Sequence, residues 1–263
     1  MTKDFRQQTS DMLVNRININ AKSQSLDFNT WVFEGLNFPS NAKILEICCG
    51  TGKQTHLFLD KLGPDAVVTA VDASKESVER LRQGLAIHND RRLQLINCDM
   101  DTLAADVLQR QATKYDLVFC SYGLYYSRNV TALLSNLKNF LSKDGMMAIV
   151  GPFGPNNEQL FNLVERSGTK IDTEIKFTSS QFMHEVVFPW MSINFSSISS
   201  RTTYNDVTWK KVDDILAYCQ STTYYRDELK DAFIDLAQTE MNINNGNFIN
   251  KKWVMSLVAQ GAR

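Results

Sequence analysis

Ile44-Leu45-Glu46-Ile47-Cys48-Cys49-Gly50-Thr51-Gly52-Lys53 is the stretch on which the fold turns. An apolar, β-rich run reaches a turn of small residues and passes at once into a segment of helical period. Gly50 and Gly52 let the backbone approach a ligand closely, and a helix starting near Lys53 points free N–H groups at a negative group. Outward from this turn the pattern repeats. Short apolar runs at Lys43–Ile47, Ala66–Val71, Leu93–Cys98, Asp116–Cys120 and Met146–Val150 alternate with helical segments near 53–62, 74–88, 102–111, 129–141 and 156–167. Near-continuous Val/Ile/Leu strands are those buried on both faces, so the pattern predicts an open, mostly parallel α/β sheet with helices on both faces. Small molecules bind such sheets at the carboxyl ends of the strands.

The flanks differ from this core. Residues 1–40 read as an N-terminal helical extension or lid of one or two helices, with Trp31, Val32, Phe33, Leu36 and Phe38 clustered just before the first strand. The main domain is read as 41–263. Within it, about 170–245 forms an insertion that covers the mouth of the sheet. His184–Trp190 and Ile193–Thr203 read as strands, Lys211–Gln220 and Arg226–Gln238 as helices, and Asn247–Ala259 as a closing strand.

The 263 residues carry 28 Lys+Arg against 29 Asp+Glu, a formal charge of −1 that supplies no global field for a polyanion. The first twelve residues are too polar for a signal peptide, and no apolar run approaches the ~18 residues that span a bilayer. A cytoplasmic location is expected, with neither nucleic acid nor membrane as partner. Cys48 and Cys49 are adjacent while Cys98, Cys120 and Cys219 are far apart, which is no disulfide framework; His56, His88 and His184 share no metal-ligand spacing, so no metal is expected.

Two further strand ends carry acids. Asp72 closes the second strand, where a carboxylate can accept both hydrogen bonds of a ribose diol; Asp99 closes the third, where it can accept an adenine amine beside Met100. Each has an alternative reading as a helix N-cap, Asp72 before Ala73-Ser74 and Asp99 before Asp101-Thr102. A glycine turn, a ribose acceptor and a base acceptor in that order favour a nucleoside.

On Leu45-Glu46-x-x-x-Gly50-x-Gly52, Val71-Asp72-Ala73-Ser74, Cys98-Asp99-Met100 and Tyr115-Asp116-Leu117-Val118-Phe119-Cys120-Ser121-Tyr122, the chain resembles the class I S-adenosylmethionine-dependent methyltransferases of small-molecule type. The resemblance is firm over 40–155 and loose elsewhere. It implies a Rossmann-like open sheet, mostly parallel with a reversed terminal strand, and S-adenosylmethionine as cofactor with S-adenosylhomocysteine as product. It also implies that Glu46, Cys48, Gly50 and Gly52 line the methionine end. Asp72 with Ala73 would hold the ribose, Asp99 with Met100 the adenine, and Ser121 with Tyr122 would border the sulfonium and the acceptor. The family pattern has glycine where Cys48 stands.

A methyl on a sulfonium is already activated, and holding two reactants in line contributes ~7–11 kcal/mol, so in-line transfer to O or N of a small organic acceptor is the expected reaction. An acceptor hydroxyl also needs a base. His184 and Tyr126 are the catalytic candidates. Tyr122, Tyr125 and Tyr126 leave strand four, where they are read either as core or as an apolar pocket with phenol hydroxyls. Asp116 is read as a strand-end or helix-facing contact, and Asn156-Asn157 as a helix cap in preference to a substrate contact.

Three other readings are weighed. A nicotinamide-dependent oxidoreductase needs G-x-G-x-x-G, and Gln54-Thr55 supply no third small residue. A nucleic-acid methyltransferase is disfavoured by the near-neutral charge and by a strand-four exit, Cys-Ser-Tyr-Gly-Leu-Tyr-Tyr, without the Asp/Asn-Pro-Pro-aromatic turn, while a protein acceptor stays an alternative. A non-enzymatic cofactor binder would share the same signature.

Overall fold

The computed structural model describes residues 10–21, 23–85, 90–103 and 113–263. Seven strands, β1 Lys43–Ile47, β2 Val67–Asp72, β3 Leu93–Asn97, β4 Tyr115–Ser121, β5 Leu141–Pro152, β6 Phe195–Trp209 and β7 Phe248–Ala262, form one sheet in the order β3-β2-β1-β4-β5-β7-β6. β1 lies parallel between β2 and β4, β2 pairs parallel with β3, and β4 with β5. β7 alone runs reversed. The reversed strand expected at the chain's end is therefore present, inserted between β5 and β6, so that β6 becomes the edge.

β1 shows why the central strands are parallel and apolar. Ile44, Leu45 and Ile47 are fully buried and Glu46 is 1% exposed, so no residue after Lys43 faces water. Helix Lys53–Lys61 covers this region with Phe58, whose ring lies 4.7 Å from Phe33, 5.1 Å from Phe119 and 5.8 Å from Phe38. Burying such a side chain contributes about 2–3 kcal/mol. The Val32–Phe38 cluster read ahead of β1 thus packs on the first crossover helix. Trp31 instead lies under the Arg201 guanidinium, 5.1 Å away.

The chain order in the sheet reverses between β1 and β4, with β2 and β3 on one side and β5 on the other. In open α/β sheets this switch point leaves a crevice at the carboxyl ends.

Two compact units are distinguished. One comprises Asn29–Gly151, His184–Arg201 and Met255–Arg263; the other comprises residues up to Phe28, Pro152–Met183 and Thr202–Val254. The second unit has its own core, where Trp209 is stacked near Phe248 and tilted against Tyr218, with Leu160, Ile215, Phe233 and Met241 around them.

Helices Ser10–Ala21 and Phe28–Glu34 agree with one or two N-terminal helices. The helix read at 102–111 falls mostly outside the described residues. His184–Trp190 is no strand: Met183–Val187 is a π-helical turn and Phe188–Asn194 an α-helix with Pro189 in its first turn. Proline there is preorganised for a helix and lacks the donor that a sheet ladder needs. Helix Thr173–Ser180, started by the Asp172 carboxylate accepting from the Glu174 N–H, went unread. Asn157 stands at the N-cap of helix Glu158–Arg166 as read, but neither asparagine caps by its side chain: Asn156 Nδ2 donates to Ser179 Oγ at 2.8 Å, and Asn157 Oδ1 accepts from Asn250 Nδ2 at 2.8 Å.

Candidate active site

The turn after β1 is held by the acid that ends β2. Asp72 Oδ2 accepts from the Gly50 N–H at 2.8 Å, and its Oδ1 accepts from the Ser74 N–H at 2.8 Å. Ser74, rather than Asp72, caps helix Lys75–Leu85, its hydroxyl accepting from the Ser77 N–H at 3.2 Å. A carboxylate offers about four lone-pair sites, so two such bonds leave Asp72 room for a diol.

Gly50 and Gly52 both have positive φ, 55° and 87°. At Gly52 the protein's own packing makes the demand: a Cβ there would lie 2.1 Å from Leu81 Cδ1. His56 sits one turn on, its Nδ1 2.7 Å from the Gly52 carbonyl.

Glu46 lies beneath this turn. Its Oε2 accepts from the Thr55 hydroxyl at 2.6 Å. Burial pushes its carboxyl from 4.5 up to about 8, opposed by the Thr55 hydrogen bond and reinforced by the nearby Asp72 charge. The carboxyl is thus largely neutral at pH 7, and a cation brought beside it would favour ionisation.

The β3 exit is tied to β4. Asp99 Oδ1 accepts from the Asp101 N–H at 2.8 Å, and its Oδ2 accepts from Arg128 Nη2 at 2.9 Å. Asp101 accepts from the Ser127 hydroxyl at 2.5 Å, the Arg128 N–H at 2.9 Å and Arg128 Nε at 3.0 Å. Burial works to raise the Asp101 carboxyl, but the bonds from Ser127 and Arg128 outweigh it and hold it below its ordinary value. An amine reaching Asp99 therefore shares it with Arg128. Met100 Sδ lies 3.7 Å from Cys48 Sγ, joining the β3 exit to the turn after β1.

At the β4 exit, Ser121 Oγ is buried without a hydrogen-bond partner among the described residues. Tyr122 follows with φ 54° and 37% exposure, its N–H donating to the Val150 carbonyl at 2.9 Å. Cys48 has φ 58°, so the neighbouring strands β1 and β4 are both followed directly by a non-glycine residue in the left-handed region. Such strain costs about 1–3 kcal/mol and collects at functional sites. Leu124–Tyr126 then form a 3-10 turn that sets Tyr126 4.7 Å from Tyr125, ring to ring.

The structure joins Gly50 to Asp72 and Cys48 to Met100 directly, while Glu46, Gly52 and Asp99 bond or pack with Thr55, Leu81, Asp101 and Arg128, and Ser121, Tyr122 and Tyr126 stand on the β4 exit. Ala73 lies between Asp72 and Ser74, its carbonyl accepting from Asn97 Nδ2 at 3.0 Å. His184 is on another segment, the π-helical turn, where its Nε2 lies 3.6 Å from Glu185 Oε1. Asp116 is a strand-end contact as read, accepting from the Lys43 N–H and the Ser142 hydroxyl, both at 2.9 Å. Thr55, Leu81, Gly123 and Arg128 were not read from sequence. Their roles depend on contacts across the sheet that no local pattern announces.

The sheet order together with the family match places the chain among the class I, S-adenosylmethionine-dependent methyltransferases. Residues 39–219 match the family described as methyltransferase domain, and the chain belongs to it. A malonyl-[acyl-carrier protein] O-methyltransferase of Paenibacillus sp. (strain JDR-2) is 27% identical over 114 residues, 43% of this chain and 40% of that protein. The chain thus matches well under half the length of this relative. Among solved structures, the YcgJ protein of Bacillus subtilis has a TM-score of 0.59 at 12% identity, covering 89% of this chain and 98% of that one. A Haemonchus contortus phosphoethanolamine N-methyltransferase 2, in complex with S-adenosylhomocysteine, has a TM-score of 0.58 at 13% identity, covering 98% and 60%. The likeness to both structures is one of fold. Membership of the methyltransferase family sets aside the nicotinamide reading.

Among the described residues no helix is long and apolar enough to cross a membrane.

Proposed function

We propose that the chain methylates a small organic acceptor, free or tethered to a carrier, at oxygen or nitrogen by in-line displacement. The bound cofactor supplies the methyl on a sulfonium. The observation that carries the reading is the β4 exit, where an unpartnered buried Ser121 hydroxyl and a strained Tyr122 stand on the strand next to the glycine turn. An orphaned buried hydroxyl and a buried neutral Glu46 suit the methionine end, whose polar groups and ammonium satisfy the first and ionise the second.

In this reading Asp72 and Ala73 hold the ribose, Asp99 and Met100 hold the adenine, and Cys48, Gly50 and Gly52 line the methionine end. Tyr122 and Tyr126 orient the acceptor and exclude water. His184 is the proton acceptor for a hydroxyl substrate. A carboxylate acceptor, such as the carrier-linked acid in the Paenibacillus protein's name, needs no base because its oxygen is already anionic.

Labelled methyl transfer to a panel of hydroxy, amino and carboxyl acceptors, with and without an acyl carrier, tests the acceptor class. Incorporation into nucleic acid alone would defeat it. Asp72→Ala is expected to weaken S-adenosylhomocysteine binding at least about tenfold in calorimetry, because it removes both the diol acceptor and the anchor of the Gly50 N–H.

A further inference from the structure

The turn after β1 carries the Cys48 side chain, and Gly123 shows where that side chain goes. A Cβ on Gly123 would lie 2.3 Å from Cys48 Cβ and 2.5 Å from Cys48 Sγ, with Cys120 Sγ at 3.5 Å. The first two distances are shorter than real Cβ contacts. Gly123 has φ −134° and ψ −26°, a negative-φ backbone outside the left-handed region. Positive φ therefore does not call for glycine there; the Cys48 side chain does. Gly123 directly follows Tyr122, and its carbonyl accepts from the Tyr126 N–H at 3.0 Å. One residue thus adjoins the strained tyrosine and anchors the turn that carries Tyr125 and Tyr126.

We propose that Cys48 and Gly123 are a reciprocal pair. Cys48 is a positioning residue whose side chain occupies the space Gly123 leaves open. It sets the path of Ser121-Tyr122-Gly123, and through that path the two residues that border the methyl-donor end of the site. The functional half of this inference rests on the cofactor reading above; the packing half stands on the geometry alone. It makes position 123 conditional: alanine is forbidden beside Cys48 and allowed beside glycine.

Four proteins test it, the wild type, Cys48→Gly, Gly123→Ala and the double variant, each titrated with S-adenosylhomocysteine and melted without it. Gly123→Ala is expected to bind about tenfold more weakly or worse, and the double variant to recover to within about threefold of Cys48→Gly. Wild-type affinity in Gly123→Ala, or a double variant no better than Gly123→Ala, overturns the pair. Should Gly123→Ala fail to fold, a folded double variant supports the pair and an unfolded one overturns it. Should the wild type not bind the ligand at all, the cofactor reading fails separately. The pair is then decided by the melting temperatures, non-additive shifts supporting it and additive shifts overturning it.

Discussion

Replacing Glu46 by glutamine turns the burial of one carboxyl into a measurable pH dependence. In the unfolded chain this carboxyl ionises near 4.5, whereas in the fold it is pushed up to about 8. Below pH 4.5 both states are protonated and the group costs nothing. As pH rises, the unfolded chain loses a proton that the folded one keeps, so stability falls until the folded carboxyl also ionises near 8. At ~1.36 kcal/mol per pH unit, the loss reaches about 3 kcal/mol at pH 7 and about 5 kcal/mol above pH 8. Glu46→Gln does not titrate. Its amide keeps an acceptor for the Thr55 hydroxyl but brings N–H donors that cost about 1–3 kcal/mol if unpaired, a constant offset across pH. The telling quantity is therefore the change in the stability difference between the two proteins. Urea unfolding from pH 4.5 to 8 should show the variant gaining about 3 kcal/mol or more on the wild type. Parallel profiles, differing by a constant to within ~1 kcal/mol, would refute the burial argument.

Asp101 should behave in the opposite sense. Its folded carboxyl is held below its ordinary 3.8, so its contribution is present above that pH and lost as pH falls through the folded value. Asp101→Asn should flatten the acid limb of the unfolding profile; an unchanged limb would contradict the Ser127 and Arg128 bonds as its cause. Gly52→Ala combines a left-handed backbone, costing about 1–2 kcal/mol, with a collision against Leu81 worth about 1–3 kcal/mol. Denaturant unfolding should therefore show a loss of about 2–5 kcal/mol, and a loss under ~1 kcal/mol would sink that packing argument.

The parallel half of the sheet was legible because its strands are buried on both faces. Such strands leave unbroken apolar runs, and β1 was read to the residue, Lys43–Ile47. The acids at the strand ends were legible by position, but their partners were not. Asp72 was weighed between a ribose acceptor and an N-cap, and the structure shows its oxygens already bonded to the Gly50 and Ser74 N–H groups while Ser74 does the capping. Gly52 was read as room for a ligand, yet Leu81, some thirty residues on, is what its missing Cβ admits. The failure at His184–Trp190 has a local cause. Val186, Val187, Phe188 and Trp190 have strand-type side chains, and Pro189 was the signal against the strand. The Cys48–Gly123 contact lies across adjacent strand ends 75 residues apart in sequence, where only the fold brings them together.

The central claim is that one adenosyl group lies across the ends of β1, β2 and β3. A crystal structure with S-adenosylhomocysteine tests it most directly. The account predicts the ribose hydroxyls within hydrogen-bond distance of Asp72, the adenine amine at Asp99, and the amino-acid end beside Glu46 and Ser121. Ligand bound elsewhere, or that crevice filled by the protein's own side chains at saturating ligand, would contradict it.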